Sequence, residues 1–359
     1  MKRQLQFLGF LSKTLTRLHS KDKFIAVSGS LGKTTTVRCS KLILSQKFKT
    51  LSTNPNEDFM LSVSSTLLKV NPTHKKVILE MGIKGEGDMD FYLSQVKPKV
   101  GVFTKITQFS KENSKLLDSL SGGVAILNWD DIYSKKIAEE FEGQIIYYGT
   151  DSQNCTVWAG NLRIENFRTT FELNLGVERV KVEFPLLGLH QVYPALAAAA
   201  LGVVYDIPLT KIKRALESIQ PEEHKLQLLL GPNGSFILDD TFSAQEVEGA
   251  IETLVQLPAR RRILVLGDLG SEYTEKVISN LAQKIYKEKL DFVFLGINVN
   301  LIAEELKNLG FWEERLESNL QNSKIVGKLL KTLGKGDICL IKGSKLVRLD
   351  EVVKRISKK

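Results

Sequence analysis

A run of apolar and β-branched residues, Phe24-Ile25-Ala26-Val27-Ser28, gives way to Gly29-Ser30-Leu31-Gly32-Lys33-Thr34-Thr35-Thr36. A strand that breaks into glycines and then opens a helix on a Lys-Thr pair is suited to hold phosphate. Glycines let main-chain N–H groups turn inward, the helix adds its positive N-terminal end, a lysine reaches the outer phosphates and a threonine hydroxyl ligates Mg²⁺. The general form G-x-x-x-x-G-K-[ST] has glycine where this chain has Val27, so the variant reads G-x-x-G-K-T-T. The expected ligand is a nucleoside triphosphate, held by Gly29, Ser30, Leu31, Gly32, Lys33, Thr34 and Thr35. Magnesium on such a loop needs a carboxylate from a neighbouring strand end. Glu80, closing Val77-Ile78-Leu79-Glu80, is the candidate, so Thr34 and Glu80 form the expected metal pair.

The elements that must position these groups follow from length and pattern. At 359 residues, two domains are expected. Apolar residues at 43% and charged ones at 25% describe a globular chain, and no apolar run is long enough to cross a bilayer. With no secretory signal visible, a cytoplasmic location is expected. Cys39, Cys155 and Cys339 are far apart and odd in number, which suits reduced thiols, and the four histidines lack metal-ligand spacing. The net charge of +9 is spread without a nucleic-acid motif and reads as a solvated basic surface, so no nucleic-acid partner is expected. In residues 1–22, Leu5, Leu8, Leu11, Leu15 and Leu18 recur at helical spacing beside Lys2, Arg3, Lys13 and Arg17. This amphipathic helix could lie on a membrane surface; packing of its leucine stripe on the body of the protein is the expectation.

From 23 to 150, within a central domain expected over 23–221, short apolar strands alternate with helical stretches. Strands are expected at 24–28, 77–80, 100–104, 124–128 and 144–148, with a helix over 33–46; this is the rhythm of a mostly parallel α/β sheet of P-loop NTPase type. Alternating β-branched and polar residues at 154–187 predict an antiparallel β extension, followed by helices at 190–205 and 210–218. Pro221 and Glu222-Glu223-His224-Lys225 mark a hinge. The alternation then restarts as a Rossmann-like α/β domain over 222–359, with strands at 236–239, 262–266, 292–295 and 338–341 and helices near 244–256, 274–288, 299–308, 321–333 and 347–357.

Taken in order, these residues resemble the Mur ligase family, and within it the branch that adds D-alanyl-D-alanine to a muramyl tripeptide. The resemblance covers about residues 23–355. It rests on Gly29 to Thr36, Asn54 and Asn56, Glu80-Met81-Gly82 with Gly87, Pro98 and Thr104, and Ala125-Ile126-Leu127-Asn128-Trp129-Asp130-Asp131. Further on it rests on Gly188-Leu189-His190 before Ala195 to Ala198, Asp239-Asp240-Thr241-Phe242 with Ala244, Val265-Leu266-Gly267-Asp268-Leu269, and Ile341-Lys342-Gly343-Ser344.

The resemblance implies an ATP- and Mg²⁺-dependent amide ligase: a substrate carboxylate takes the γ-phosphate, and the amine of an amino acid or dipeptide displaces phosphate from the acyl phosphate. It implies catalytic roles for Lys33, Glu80, His190 and Lys342, with His190 equally readable as a structural histidine. Asp239 and Asp240 would approach the nucleotide from the second domain, and Asn54, Asn56, Lys342, Gly343 and Ser344 would contact substrate. Only some twenty residues precede the phosphate loop, so the family's first, nucleotide-sugar-binding domain is expected to be missing, with a partner subunit as one replacement. Ser110 stands where the family has a metal-binding histidine, Lys111 or Lys115 where it has a carbamylated lysine, Gln191 and Pro194 where it has adenine-contacting asparagines, and Lys225 where it has an arginine. Serine is a poorer ligand than imidazole, which weakens the second metal site. A second class therefore stays open, a nucleotide-binding homologue without ligation acting as a structural or regulatory partner; a nucleic-acid-dependent ATPase is a third.

Overall fold

The computed structural model describes residues 2–107, 111–120, 122–139, 141–270 and 274–358, the side chains of residues 2–4 and 6 excepted. Two compact units emerge. One comprises Met1–Arg163, Thr169–Pro185 and His190–Ile219, and the other Ile164–Arg168, Leu186–Leu189 and Gln220–Lys359.

The elements are, in chain order, α1 (Lys2–Thr16), β1 (Phe24–Ser28), α2 (Lys33–Leu44), β2 (Thr50–Ser52), α3 (Phe59–Leu68), β3 (Lys76–Glu80), α4 (Asp88–Gln95), β4 (Val100–Phe103), α5 (Lys111–Ser119), β5 (Val124–Asn128), α6 (Ile132–Ala138) and β6 (Gln144–Gly149). Three long strands follow, β7 (Val157–Glu165), β8 (Arg168–Leu175) and β9 (Glu178–Phe184), then α7 (Val192–Val204) and α8 (Leu209–Glu217). They build a nine-stranded sheet in the order β2-β3-β1-β4-β5-β6-β7-β8-β9. β1 lies parallel between β3 and β4, with Val27 level with Glu80 and Ser28 with Phe103, which brings the strand ends that carry chemistry to one edge. All five residues of β1 are buried, as befits a strand covered on both faces. α7 is apolar all round, and Ala195 to Leu201 are fully buried; a helix without a polar face belongs inside a core.

α1 departs from the leucine-stripe expectation. It packs on α3 and α4, but through small and polar residues. Gly9 lies against Phe91 and Gln95, Ser12 Oγ donates to Gln95 Oε1 at 2.5 Å, and Thr16 Oγ1 donates to the Gln95 carbonyl at 2.6 Å. Phe7 and Phe10 face outward, 63% and 68% exposed, and Leu11 and Leu15 are partly exposed, while Leu5 and Leu8 are half-buried. Close approach of helix backbones favours glycine and serine over leucine, and the periodicity of apolar residues alone does not reveal it. Among the described residues, no helix is long and apolar enough to cross a membrane.

The second unit is built from β10 (Gln227–Leu230), β11 (Phe236–Asp240), α9 (Val247–Gln256), β12 (Arg262–Leu266), α10 (Glu275–Lys287), β13 (Phe292–Gly296), α11 (Asn300–Asn308), β14 (Leu316–Leu320), α12 (Asn322–Thr332), β15 (Ile338–Lys342) and α13 (Leu349–Ile356). Its six strands run β10-β11-β15-β12-β13-β14. All pairs are parallel except β10 with β11. The expected mixed α/β architecture, two mostly parallel sheets with an antiparallel extension on the first, is thus present. β10 and β14 were given no bounds from sequence. Gln227–Leu230 and Leu316–Leu320 are short edge strands whose pairing, rather than their pattern, defines them.

Candidate active site

The loop after β1 is shaped by two glycines. Gly29 has φ +131° and a Cβ there would sit 2.3 Å from Thr104 Oγ1; Gly32 has φ +82° and a Cβ would meet the Pro194 ring at 3.0 Å. Both conformations and both contacts exclude a side chain. Pro194, one of the departures from the family pattern, thus has a packing role: as a member of the first turn of α7 it closes against the loop.

Not every loop amide faces inward as expected. Ser30 N–H and Leu31 N–H donate to the Lys105 carbonyl at 2.8 and 3.3 Å, and Ser30 Oγ accepts from Thr107 N–H at 3.1 Å. In this arrangement they fix the loop to the segment after β4. The amides suited to an anion are those at the start of α2, including Thr34 and Thr35, where helix geometry leaves N–H groups without intrahelical acceptors. No side chain caps this helix; its N-cap is Gly32. Lys33 Nζ donates to the carbonyls of Gly29 and Ser30 at 2.8 and 2.9 Å, which keeps the ammonium inside the curl of the loop.

Thr34 Oγ1 donates to Glu80 Oε1 at 2.8 Å. Glu80 is only 3% exposed, and its N–H donates to Thr53 Oγ1 at 3.0 Å. A hydroxyl and a carboxylate side by side are hard oxygen donors of the kind Mg²⁺ takes, with phosphate and water completing the shell, so the residues present fit that ion. Among the described residues no cluster of three or more His, Cys, Asp or Glu exists that could hold a metal unaided.

Beside this pair lies a cavity of about 300 Å³ lined by Thr34, Val37, Arg38, Lys41, Ser52, Thr53, Asn54, Pro55 and Glu80. Asn54 is in it, and its Nδ2 donates to Glu57 Oε1 at 3.0 Å. Asn56 is exposed and outside the lining; its N–H donates to Asn54 Oδ1 at 3.1 Å, so it shapes the turn. Arg38 and Lys41 were not singled out from sequence. Their spacing of four and seven residues from Thr34 along α2 was the available signal, since it sets all three on one helix face.

Residues 27–202 match the Mur ligase middle domain. The chain is 28% identical over 359 residues to UDP-N-acetylmuramoyl-tripeptide–D-alanyl-D-alanine ligase of Buchnera aphidicola subsp. Baizongia pistaciae, covering 93% of this chain and 75% of that protein. The enzyme of the same name from Escherichia coli K12 is 26% identical over 270 residues, 69% of this chain and 58% of that one. A crystal structure of MurF from Acinetobacter baumannii has the same fold, with a TM-score of 0.85 at 22% identity over 98% of this chain and 80% of that one. MurF of Thermotoga maritima in complex with ADP gives 0.83 at 18% identity, covering 98% and 83%. This chain carries a Mur ligase middle domain.

The remaining family positions divide between exposed and closed. His190 sits in a 3-10 turn before α7, half-buried, its Nε2 3.1 Å from Gln191 Nε2. Ser110 lies outside the described residues. Lys115, one counterpart of the family's modified lysine, is gripped by Asp90 and Glu112 at 2.6 Å each, and these hydrogen bonds raise its pKa. Carbamylation needs the neutral amine, so this pairing disfavours it; Lys111 is exposed at the start of α5. In the second unit Asp239 and Asp240 are engaged. Asp239, fully buried, lies 2.7 Å from His224 Nδ1 and accepts from Thr241 Oγ1 at 2.8 Å. Asp240 pairs with Lys342, which is 1% exposed and also donates to the Ser243 carbonyl at 3.0 Å. Lys342 is therefore the buried cation of that sheet edge, not a side chain presented outward. Gly343 packs against Val347 and Leu349, and Ser344 N–H donates to the Asp268 carbonyl at 2.8 Å, so both serve the turn after β15.

Proposed function

We propose that this chain is an ATP-dependent amide ligase of the Mur type that joins D-alanyl-D-alanine to a UDP-muramyl-tripeptide, acting in the cytoplasm on peptidoglycan precursors. The observation that carries the reading is the Thr34–Glu80 pair at 2.8 Å, set at the mouth of a glycine loop that ends in Lys33. Relatives that carry this activity by name support it over most of the chain.

In this reading Thr34 and Glu80 hold Mg²⁺, which supplies charge neutralisation and alignment when bound. Lys33 and the first-turn amides of α2 hold the triphosphate. The acyl substrate's carboxylate oxygen bonds to the γ-phosphorus as the bond to ADP breaks; the amine then bonds to the acyl carbon, loses a proton, and phosphate leaves. Phosphorylation turns a poor acyl donor into a good one, and the cations offset charge spread over the transferred phosphoryl. Asn54 contributes to the acyl-substrate side. His190 is retained as a positioning candidate at the foot of α7. Residues 23–221 would carry the nucleotide chemistry, and 222–359 would form the second functional domain.

The test is ATP consumption with UDP-muramyl-tripeptide and D-alanyl-D-alanine. Expected is release of ADP and phosphate only with both substrates present, and a product whose mass equals their sum less one water. Binding of ATP without substrate-dependent phosphate release would instead identify a non-ligating homologue.

A further inference from the structure

The cavity beside Glu80 is lined by two kinds of polar group. Thr34 and Glu80 are one. Arg38, half-buried, and Lys41, exposed, are the other, one and two turns further along α2. From Thr34, the helical rise sets Arg38 about 6 Å and Lys41 about 10 Å along the axis. A guanidinium and an ammonium on one wall, opposite the neutral Ser52, Thr53, Asn54 and Pro55, favour an anion, and a guanidinium can take a carboxylate or phosphate through two parallel hydrogen bonds.

Resting on the ligase reading above, we propose that Arg38 and Lys41 form an anion subsite for the acyl substrate, which reads a second negative group apart from the carboxylate that reacts beside Glu80. This is a specificity device: it selects an acidic acyl donor. It does not act on the nucleotide, whose phosphates belong to the loop. One Acinetobacter baumannii relative of known structure is named for a substrate, UDP-N-acetylmuramoylalanyl-D-glutamyl-2,6-diaminopimelate, that has a glutamyl residue next to the diaminopimelate. Such a peptide carries a free carboxylate of the required kind. Its diphosphate is the other source of the same chemistry, and the experiment separates the two.

The variants are Arg38→Gln with Lys41→Gln, and Arg38→Lys as the conservative control. The probes are UDP-muramyl-tripeptide, the same molecule with its glutamyl carboxylate amidated, and muramyl-tripeptide without UDP. Equilibrium binding and steady-state kinetics are both measured on the full chain, with the thermal midpoint as the folding control.

For the double variant, affinity for UDP-muramyl-tripeptide falls, and its KM rises, by roughly tenfold or more, the scale of a lost charge-assisted hydrogen bond. KM for ATP and kcat change less than about twofold, and Arg38→Lys restores part of the loss; a merely structural role would not split the constants in this way. If amidation abolishes the difference between wild type and variant, the peptide carboxylate is the group read. If removal of UDP abolishes it, the diphosphate is. Unchanged affinity in the double variant for every probe overturns the proposal, as does a wild-type chain that fails to bind UDP-muramyl-tripeptide. Binding that depends on Arg38 and Lys41 without any turnover leaves the subsite standing and removes the ligase reading. Turnover indifferent to both residues does the reverse.

Discussion

In the first unit, the strand ends of β1 and β3 and the start of α2 bring Thr34, Glu80, Arg38 and Lys41 to the walls of one cavity. In the second unit, the ends of β11 and β15 carry Asp239, Asp240 and Lys342, and there the charges close on one another or on His224. Both units use mostly parallel sheets, whose carboxyl ends are the usual place for ligands. The difference lies in where the charged groups sit. The first sets the Glu80 carboxylate beside the Thr34 hydroxyl on a cavity wall. The second satisfies its carboxylates internally, and the result is a buried network that holds β11, β15 and the His224 turn together.

Lys342→Met gives the sharpest break of this contrast. It leaves Asp240 buried without its cation, and the chain should lose about 3–5 kcal/mol of stability in a chemical denaturation measurement. Adding Asp240→Leu should recover more than half of that loss, because an apolar pair needs no compensation there. A double variant no better than the single one would mean that Lys342 does more than balance a charge.

Lys33→Ala sits on the other side. Ligation and ATP turnover should fall by ~10²-fold or more, with the unfolding midpoint little changed. Near-normal ATPase in this variant would remove the loop from the chemistry.

Asp337 sharpens the picture of the second unit with pH. It is fully buried, and Arg260 Nε and Arg261 Nη2 donate to it at 2.9 and 2.6 Å. Burial alone would raise its pKa, but the two guanidinium groups and the Gly334 N–H outweigh that and lower it from 3.8 to about 2. A carboxylate whose folded pKa lies below its unfolded one stabilises the fold above the unfolded value, and this contribution is lost as pH falls from about 4 through 2. The effect is on the order of 2 kcal/mol. Asp337→Asn should flatten this part of the acid-unfolding curve, and an unchanged curve would show that the arginines are not coupled to it.

The smallest expected effect is that of Phe7→Ser with Phe10→Ser on α1. Both rings are mostly exposed, so stability should change by less than about 0.5 kcal/mol. Ser12→Leu on the buried face should be far more damaging, since Ser12 is fully buried against Gln95. The reverse order would restore the leucine stripe as the packing face.

Much of the site could be read in advance because it is contiguous. Gly29 to Thr34 declare themselves by local conformation and spacing, and Glu80 by ending an apolar strand. Arg38 and Lys41 could have been found from helical period, but nothing in residue type distinguishes them from solvated cations until β2 and the Asn54 turn form a cavity with them. Lys342 entered the sequence reading only through the family resemblance, as a substrate contact, and nothing local marks it as a buried cation. Its burial depends on Asp240, 102 residues earlier in the chain.

What the sequence determines by itself is local: strand, turn and helix periods, the left-handed glycines of the loop, and hence the mixed α/β class with a glycine loop at the strand ends. Tertiary structure decides which charges meet. The ends of β11 and β15 become neighbours only through sheet order, Ser30 and Leu31 lose their amides to Lys105 only because β4 runs beside β1, and the buried face of α1 is set by what Gln95 accepts. Hydrogen bonds and ion pairs of this kind join residues far apart in the chain, and no periodicity records them.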